Sequence, residues 1–434
     1  MAEVMVTVMP FTGHVTPVLQ AVEALRGAGH RVRVYCGSRF AAQAAATGAT
    51  PVVWRHAPDF DERDLRATFP RAGRPGPRGA LANLEHVFVR TAALQAQDLR
   101  EEWERRPWDV LVADSLSLGG ALVSERLGTP WATVSVVPLA LPSRDLPPPG
   151  LPLAPGRGRL GRARDAALRG AVRVASGRLR RALRQTRAAA GLDPAAVRLD
   201  DQWFSPFLVM ALGIPGLEPE RTDLPAHVHF VGAFPPGGDA ALPPGWEPAL
   251  RARRPVVHVT QGTFGTDPDD LLRPAIAGLG GRSLTVAATT GVVGRDALPF
   301  AVPDGVLIAA RVPYARLLQL TDVMVTNGGW GGVLAALRHG IPLVVAGRDL
   351  DKPAIAGMVA RSGAGIDLRT GRPSPEAVAA AVDRVLTEPS FAQHARRLAD
   401  QLNAHDTAGE VVRLVGQLVA DGARVVREAS PWAA

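Results

Sequence analysis

Apolar positions along this chain follow two alternating spacings, one typical of buried strands and the other of amphipathic helices. Short β-branched runs precede longer segments in which apolar residues recur every three or four positions, as at 18–26 and 118–127. A strand, a helix and a second strand in this order predict βαβ units on a parallel sheet. The predicted strands are residues 4–9, 32–36, 110–113 and 131–136, followed by 256–260, 284–288, 306–309, 323–326 and 343–345.

A segment rich in proline and glycine, residues 234–246, separates the two groups of predicted strands. We therefore predict an α/β protein with two doubly wound, Rossmann-like domains. The predicted boundaries are 1–233 for the N-terminal domain, 234–250 for a linker, 251–405 for the C-terminal domain and 406–434 for a helical tail. The pattern does not reveal what the tail packs against.

Two stretches of the first domain, 59–79 and 142–159, lack a clear hydrophobic period and are rich in proline, glycine and arginine. Such composition is typical of long loops, which often carry binding residues. We predict that both loops lie over the edge of the sheet where the strands end.

Composition places the chain among globular proteins, with 47% hydrophobic and 21% charged residues. No apolar stretch reaches the roughly 18 residues of a membrane-spanning helix, and the N-terminus lacks the pattern of a secretory leader. The single cysteine, Cys36, forms neither an intrachain disulfide nor a multi-cysteine metal site. We expect a soluble, cytoplasmic protein.

The net charge of +8 is concentrated in one segment. Residues 157–187 contain eleven arginines and one acid, Asp165, which gives this segment +10 and leaves about −2 elsewhere. Apolar residues at helical spacing, such as Leu168, Leu179 and Leu183, predict one amphipathic helix here. We interpret it as a solvated surface helix, and an anionic membrane surface or the wall of a binding cleft are the alternatives. Nucleic acid is not expected, because no aromatic residue interleaves the arginines.

One histidine and one aspartate directly follow predicted strands of the first domain. His14 comes after strand 4–9 and Asp114 after strand 110–113. Both therefore lie at the carboxyl ends of strands, where doubly wound sheets bind their ligands. An imidazole accepts a proton near neutral pH, and a carboxylate can orient it and stabilise its charged form. The two form a candidate base and partner, although packing or helix capping would explain either one alone.

Two glycine-containing loops follow strands of the second domain and are suited to bind an anion. In the run 326–332, TNGGWGG, glycines allow backbone N–H groups to approach a phosphate at the start of a helix. The loop 261–265, QGTFG, adds the Thr263 hydroxyl. Together the loops suit a diphosphate, and tight strand-to-helix turns are the purely structural explanation. Neither has G-x-G-x-x-G spacing and no acid follows the second strand, which disfavours a nicotinamide-dependent dehydrogenase.

Short motifs occur along most of the chain in one characteristic order. They are TGHVTP at 12–17, GHRV at 29–32, VHFVG at 228–232, VPY at 312–314, LL at 317–318, TD at 321–322, TNGGWG at 326–331, GIP at 340–342 and DK at 351–352. This order and spacing resemble the inverting GT-B glycosyltransferases of the UDP-glycosyltransferase superfamily, especially bacterial enzymes that decorate antibiotics such as macrolides.

The resemblance implies a GT-B fold, in which two Rossmann-like domains face each other across a cleft. It implies that His14 takes a proton from an acceptor hydroxyl, that Asp114 stabilises the imidazolium, and that the anomeric configuration inverts without a metal. The donor would be a UDP- or dTDP-linked hexose or deoxyhexose, with no further cofactor, and the acceptor a small, apolar, hydroxylated natural product. The implied donor contacts are Thr12, Gly13, Gly262, Thr263, Arg311, Val312, Asn327, Gly328, Gly329, Trp330, Gly331, Gly332, Asp351 and Lys352.

Five apolar residues of the first domain are candidate acceptor contacts, although core packing would explain each of them equally well. They are Phe11, Phe60, Phe69, Phe88 and Leu139.

Several positions on the donor side depart from the usual pattern of the family. Asn327 replaces a phosphate-binding histidine, Gly332 a serine or threonine, and Ala335 an acid that binds the ribose. Arg311 replaces a base-stacking aromatic residue, and Lys352, the only lysine of the chain, replaces a glutamine. We therefore expect donor binding to depend more on the backbone. Either a specific role or chance retention explains the lysine.

Two metal-binding patterns are set aside. Asp349-Leu350-Asp351 has the Asp-x-Asp form that holds Mg²⁺ or Mn²⁺ in another glycosyltransferase fold, but here it follows a βα unit of the metal-free architecture. His227 and His229 have no nearby third ligand and are assigned to a strand.

Two alternative functions remain open. The arginine-rich segment suggests a transferase that acts on a membrane lipid, although membrane association is not expected. The altered donor positions suggest a catalytically silent partner that binds a sugar nucleotide for another transferase. Sequence does not determine the sugar, the aglycone, O- or C-attack, or whether the chain forms a homodimer.

Overall fold

The computed structural model describes residues 1–73, 76–238, 240–262, 265 and 267–432. Within these residues the chain forms two parallel sheets, one in each half of the sequence. The first sheet contains β1 (Glu3–Thr7), β2 (Arg31–Cys36), β3 (Thr50–Val53), β4 (Val110–Asp114), β5 (Trp131–Ser135), β6 (Leu208–Ala211) and β7 (Val228–Phe230). The second contains β8 (Val256–Thr260), β9 (Thr285–Thr289), β10 (Val306–Ala309), β11 (Val323–Thr326), β12 (Leu343–Val345) and β13 (Gly365–Asp367).

The strands are connected mainly through helices, as parallel pairing requires. The helices are α1 (Thr12–Gly27), α2 (Ala41–Ala46), α3 (Leu65–Thr68), α4 (Gly76–Asn83), α5 (Ala92–Arg105), α6 (Leu118–Leu127), α7 (Gly158–Ala175), α8 (Gly177–Ala189), α9 (Trp246–Ala252), α10 (Leu272–Leu279), α11 (Tyr314–Leu317), α12 (Trp330–Arg338), α13 (Lys352–Arg361), α14 (Pro375–Thr387), α15 (Pro389–Asn403) and α16 (Thr407–Asp421).

Both sheets are doubly wound, which confirms the predicted fold class. The strand order is β3-β2-β1-β4-β5-β6-β7 in the first sheet and β10-β9-β8-β11-β12-β13 in the second. In each sheet the order reverses beside the first strand, between β1 and β4 and between β8 and β11. The loops that leave these strand pairs open a crevice at the carboxyl edge, where such sheets bind ligands.

The central strands of the first sheet are buried on both faces, and every residue of β4, β5 and β6 is buried. Val4 and Val6 belong to one hydrophobic cluster, which includes residues of α1, whereas Met5 belongs to another with residues of α5 and α6. This burial explains why the strands appear in the sequence as continuous apolar runs.

All nine of these predicted strands are present, and the strand assigned to His227 and His229 is β7, but three strands within the described residues were not predicted. β3, β6 and β13 have only three or four residues each. Segments this short carry too few positions to show a hydrophobic period. In addition, β3 and β13 contain Pro51 and Gly365, residue types that are depleted in strands.

The prediction of one long arginine-rich helix is wrong. Two helices, α7 and α8, are separated at Ser176. Helix α8 buries Leu179 and Leu183 in the first domain, whereas Leu160 of α7 is 88% exposed. The apolar positions on either side of Ser176 therefore face different environments.

The segment predicted as a loop at 59–79 contains short helices. A 3₁₀ turn at Glu62–Asp64 leads into α3, and α4 begins at Gly76. The predicted loop at 142–159 has no strand or helix before α7 begins at Gly158.

The C-terminal tail packs against the N-terminal domain. Val411 and Leu414 of α16 lie in the same hydrophobic cluster as Val18 of α1. Beyond the helix, the Val425 N–H donates to the Phe207 carbonyl at 3.0 Å. The end of the chain thus crosses back and ties the two halves together. Between the domains, α9 begins at Trp246, inside the segment predicted as a linker.

No helix in the described part of the chain is both long enough and apolar enough to span a bilayer.

Candidate active site

His14 and Asp114 meet at the carboxyl edge of the first sheet, although they are 100 residues apart. Strands β1 and β4 are direct neighbours in parallel register, with Thr7 opposite Ala113. His14 follows β1 in the first turn of α1, and Asp114 is the last residue of β4. The His14 Nδ1 lies 2.9 Å from each Asp114 carboxylate oxygen.

The Asp114 carboxylate is fully buried and is held in place by the backbone. Its Oδ2 accepts from the Met9 N–H at 3.3 Å and its Oδ1 from the Leu116 N–H at 3.3 Å. Because a carboxylate only accepts hydrogen bonds, the proton between the two side chains lies on Nδ1 of His14. This tautomer leaves Nε2 as the basic nitrogen.

The protonated form of His14 is stabilised by its surroundings. The side chain is 14% exposed, and this burial by itself disfavours the charged imidazole. The charge and hydrogen bond of Asp114 outweigh burial, with further help from Asp351 and Glu62, and the pKa of His14 is raised above its ordinary value. A raised pKa makes His14 a stronger base once it is neutral.

Asp351 brings the second domain to His14. It is the residue before α13, it is half-buried, and its carboxylate interacts electrostatically with the His14 imidazole. Burial raises the pKa of Asp351, although a backbone hydrogen bond and the charges of His14 and Lys352 oppose the shift. Burial likewise lowers the pKa of the neighbouring Lys352 ammonium, against the charges of Asp351, Asp349 and Asp270. A carboxylate of the second domain, directly followed by the lysine, thus lies within electrostatic reach of the candidate base of the first domain.

The glycine-rich turn after β11 lies next to Lys352. Gly328 has φ +87°, and a Cβ at this position would lie 2.9 Å from Val345 Cγ1 and 3.6 Å from the Lys352 carbonyl oxygen. Its N–H donates to the Thr326 hydroxyl at 3.2 Å. Only glycine fits this combination of conformation and contact.

The backbone at the start of α12 is open to a ligand. A Cβ added at the exposed Gly331 would meet nothing within 4 Å, and the same holds for Gly13 on the first domain. Gly329 precedes the helix in an extended conformation, so the first N–H groups of α12 lack intrahelical partners. Such N–H groups and the helix dipole favour an anion.

Asn327 joins the two glycine-containing loops. Its Nδ2 donates to the carbonyl of Gln261, at the start of the second loop. The Oδ1 of Asn327 and the Oε1 of Gln261 are buried without a hydrogen-bond partner within the described chain. Gly262 has φ +67° and adjoins Asn327, whereas Thr263 lies outside the described residues.

The side chain of Trp330 lies in the interface between the domains. Its indole N–H donates to the Leu212 carbonyl at 2.9 Å, and a Cβ added at Gly213 would lie 3.0 Å from its ring. With the indole buried, Trp330 can offer only its backbone to a donor. Gly332, the third residue of α12, is partly exposed.

Arg311 and Val312 follow β10 at the same edge of the second sheet. The Arg311 side chain is exposed, whereas Val312 packs against a small cluster that includes Trp246 and Leu250. Their contacts with a donor stay predictions.

Four of the five predicted acceptor contacts come together beside His14. Ring centroids of Phe11 lie 5.2 Å from Phe60, 5.7 Å from Phe88 and 5.8 Å from His14, and Phe69 lies 5.3 Å from Phe60. All four phenylalanines are buried. Leu139 lies apart from them, in the cluster of Phe204 and Phe230, and its N–H donates to Glu218 at 3.1 Å.

Sequence reasoning missed Glu62. Its buried carboxylate accepts from the Thr12 N–H at 2.9 Å and from the Thr12 hydroxyl. Thr12, predicted as a donor contact, is therefore engaged within the protein. No local signal separates Glu62 from the nearby acids Asp59, Asp61 and Asp64, because all four lie in one irregular segment.

The two metal patterns have different surroundings. Within the described residues, no group of three or more His, Cys, Asp or Glu side chains is arranged to hold a metal ion. In the Asp349-Leu350-Asp351 run, Leu350 has φ +59°. His229 in β7 forms a 3.1 Å hydrogen bond to the Val425 carbonyl, and burial lowers the pKa of His227 to about 4.

Comparison with known proteins agrees with the fold and the motifs. The erythromycin biosynthesis protein CIII-like C-terminal domain family matches residues 293–418. The 4'-demethylrebeccamycin synthase of Lentzea aerocolonigenes is 39% identical over 422 residues, which cover 96% of this chain and 100% of that protein.

Solved structures share the fold. The glycotransferase of kitacinnamycin matches with a TM-score of 0.72 at 23% identity, over 96% of this chain and 98% of that chain. SsfS6, a glycosyltransferase of Streptomyces sp. SF2575 solved with thymidine diphosphate, matches with a TM-score of 0.67 at 22% identity, over 96% and 100%. Since a relative 39% identical spans nearly the whole chain, the protein belongs to the GT-B glycosyltransferases of the antibiotic-biosynthesis type.

Proposed function

We propose that this protein transfers a hexose or deoxyhexose from a UDP- or dTDP-linked donor to a hydroxyl of an apolar natural product, with inversion and without a metal. The observation that supports this reaction is the hydrogen-bonded His14–Asp114 pair, which lies within electrostatic reach of Asp351 across the cleft. A base from one domain and an anion-binding helix start from the other are the two groups that glycosyl transfer requires.

The chemistry begins with a proton transfer to His14. Nε2 takes the proton of the acceptor hydroxyl, while Nδ1–H keeps its hydrogen bond to Asp114, whose charge stabilises the imidazolium. The acceptor oxygen forms its bond to the anomeric carbon from the face opposite the nucleotide. The bond from that carbon to the diphosphate oxygen breaks, and the electron pair leaves with the diphosphate.

The second domain stabilises the leaving group. The open N–H groups around Gly331, at the positive end of α12, would bind the developing charge on the diphosphate. Asp351 and Lys352 would contact the sugar hydroxyls. The structure of SsfS6, which shares the fold, was solved with thymidine diphosphate, and this supports a nucleoside diphosphate donor. Because the proposal uses no metal, transfer is expected to continue unchanged in EDTA.

The acceptor would lie on the first domain. Phe11 adjoins His14 and packs against Phe60 and Phe88, so that the base lies against an apolar cluster. An apolar acceptor with a hydroxyl that reaches His14 Nε2 fits these surroundings.

A donor and acceptor screen by mass spectrometry tests the proposal. Wild-type protein is expected to add one sugar to an acceptor hydroxyl, and His14→Ala to lose most of this turnover while calorimetry still detects donor binding. His394→Ala is the matched control, because the partly exposed His394 is hydrogen-bonded to the Ser390 carbonyl of its own helix at 2.6 Å and its ring lies beside Gly363. Unchanged turnover in His14→Ala would refute the assigned base.

A lipid acceptor is a second candidate, favoured by α7. This helix exposes Leu160 and Val174 beside a row of arginines, a pattern typical of helices that lie on anionic membranes. Sedimentation with anionic vesicles tests it: protein that stays in the supernatant at low salt would eliminate this candidate.

A further inference from the structure

Helix α1, which carries His14, begins without a capping side chain of its own. The residue before the helix is Phe11, whose side chain forms no capping hydrogen bond, although the first N–H groups of a helix need acceptors. The acceptor comes from 50 residues away. Glu62 Oε2 accepts from the Thr12 N–H at 2.9 Å, and Glu62 Oε1 accepts from the Thr12 hydroxyl.

Glu62 is itself held firmly in place. Its side chain is 4% exposed, and Arg39 Nη1 donates to its Oε1 at 3.1 Å. Three residues earlier, Asp59 accepts from the Ser38 N–H at 2.9 Å. These contacts fix the segment between β3 and α3 onto the loops that follow β1 and β2. A negative charge is therefore anchored at the positive end of α1.

Three carboxylates surround the His14 imidazole, each from a different element. Asp114 at the end of β4 touches the ring, whereas Asp351 before α13 and Glu62 before α3 interact through their charge. Arg39 is the cation paired with Glu62. All three carboxylates favour the protonated ring, and Glu62 also touches the helix turn that carries it.

We propose that Glu62 is a positioning residue for the transfer reaction. Its ionised carboxylate fixes the first turn of α1, and with it His14, and supports the positive charge that the imidazole gains when it takes the acceptor proton. Because Glu62 belongs to the segment that carries Phe60 and Phe69, the same contact joins the apolar cluster to the base. This role rests on the proposed function.

Charge and shape can be separated at this position. Glu62→Gln keeps the size of the side chain but removes its charge and one acceptor oxygen. Glu62→Asp keeps the charge on a side chain that is shorter by one methylene. If charge is decisive, the Asp variant behaves more like wild type than the Gln variant. A purely structural role predicts the opposite order.

The experiment uses the full chain with both variants and Asp64→Asn as a matched control. Asp64 lies in the same segment, but its side chain accepts from the Ala67 N–H at 3.3 Å and therefore caps α3 rather than α1. Two quantities are measured against pH: kcat/KM, and the NMR signal of the His14 ring, assigned by its absence in His14→Gln. We expect Glu62→Gln to lower kcat/KM about tenfold. In the same variant the acid limb of the rate profile and the His14 titration both move to lower pH, and Asp64→Asn leaves both in place.

The titration needs no substrate, so it separates the two hypotheses. If no donor and acceptor pair supports transfer, the proposed function fails, whereas a shifted titration in Glu62→Gln still supports the role of Glu62 at His14. A wild-type titration and rate profile in Glu62→Gln would overturn the inference, as would a Gln variant that outperforms Glu62→Asp.

Should Glu62→Gln not fold, Glu62→Asp is compared with Thr12→Val, which removes only the hydroxyl contact. An activity loss in Thr12→Val with an unshifted titration supports the positioning role, and wild-type activity in both variants contradicts it.

Discussion

The two edges that form the cleft are built by different means. On the first domain, the reactive groups are side chains: His14 and Asp114 are held by hydrogen bonds to each other and to the backbone. On the second domain, the turn after β11 offers mainly backbone N–H groups, because Asn327 is occupied with Gln261 and the indole of Trp330 is buried. One edge depends on side-chain chemistry and the other on backbone access.

This difference follows from what each edge has to do. Proton transfer needs a group with a suitable pKa, which only a side chain supplies. A phosphate needs several N–H donors in a concave backbone, which the start of a helix supplies without any side chain. Removal of a side chain should therefore damage the first edge most, whereas addition of a methyl group should damage the second.

The largest effect is expected from Asp114→Asn. The amide holds the imidazole less well and does not stabilise its charge, so kcat/KM should fall about a hundredfold or more while donor affinity is retained. Asp109→Asn is the control, because Asp109 lies just before the opposite end of β4, where it accepts from the Glu3 N–H at 2.8 Å. Similar losses in both variants would contradict an electrostatic role.

The same variant has a defined pH signature. In wild-type protein the pKa of His14 is raised above its ordinary value, so activity should fall as the pH drops through this raised pKa. Without the charge of Asp114, burial of the imidazole acts unopposed by its main partner and lowers the pKa. The acid limb of kcat/KM should therefore move to lower pH, and a fixed limb would identify another group as the base.

A smaller effect is expected when a methyl group is added to the second edge. Gly331→Ala should raise the donor KM about tenfold, because the methyl group would occupy open space that the diphosphate approaches. Gly416→Ala in α16 is the control, since a Cβ there also meets nothing within 4 Å. Equal donor KM values in the two variants would remove the start of α12 from the donor site.

Lys352→Gln tests whether the one lysine sets sugar preference. Loss of the half-buried ammonium should change the ratio of kcat/KM between two donor sugars by about fivefold, because the hydroxyl contacts of one sugar are altered more than those of the other. The ratio is measured with paired donors in competition. An unchanged ratio would mean that this lysine is retained by chance.

The smallest effect is expected at the domain interface. Trp330→Phe removes the hydrogen bond to the Leu212 carbonyl and should lower the free energy of unfolding by about 1 kcal/mol. In Trp108→Phe the lost indole N–H has no hydrogen-bond partner within the described chain, so this variant controls for the change of ring size. Denaturant unfolding compares the two variants. An equal loss of unfolding free energy in both would mean that the interdomain hydrogen bond makes no net contribution to stability.

Much of the fold could be predicted because each βα unit is encoded locally. Valine-rich runs such as 110–113 and the helical period of 118–127 contain their own signals, and parallel pairing places the ends of β1 and β4 at one edge. The meeting of His14 with Asp114 followed from this rule. Short strands such as β13 and the break at Ser176 were missed, because three residues show no period and both sides of the break share one composition.

By itself, the sequence determined two doubly wound domains, a histidine and an aspartate at one sheet edge, and a glycine-rich turn before a helix in the other domain. Only the tertiary structure decided that Glu62 caps α1, that α16 returns to the first domain, and that Trp330 joins the domains rather than lining the cleft. These contacts join residues that are 50 to more than 100 positions apart in the sequence. Other acids and other apolar helices of the chain have similar local sequences, so the local sequence does not identify which of them makes each contact. The choice among them is made by packing of the whole chain, because burial and hydrogen-bond geometry depend on neighbours that the local sequence does not specify.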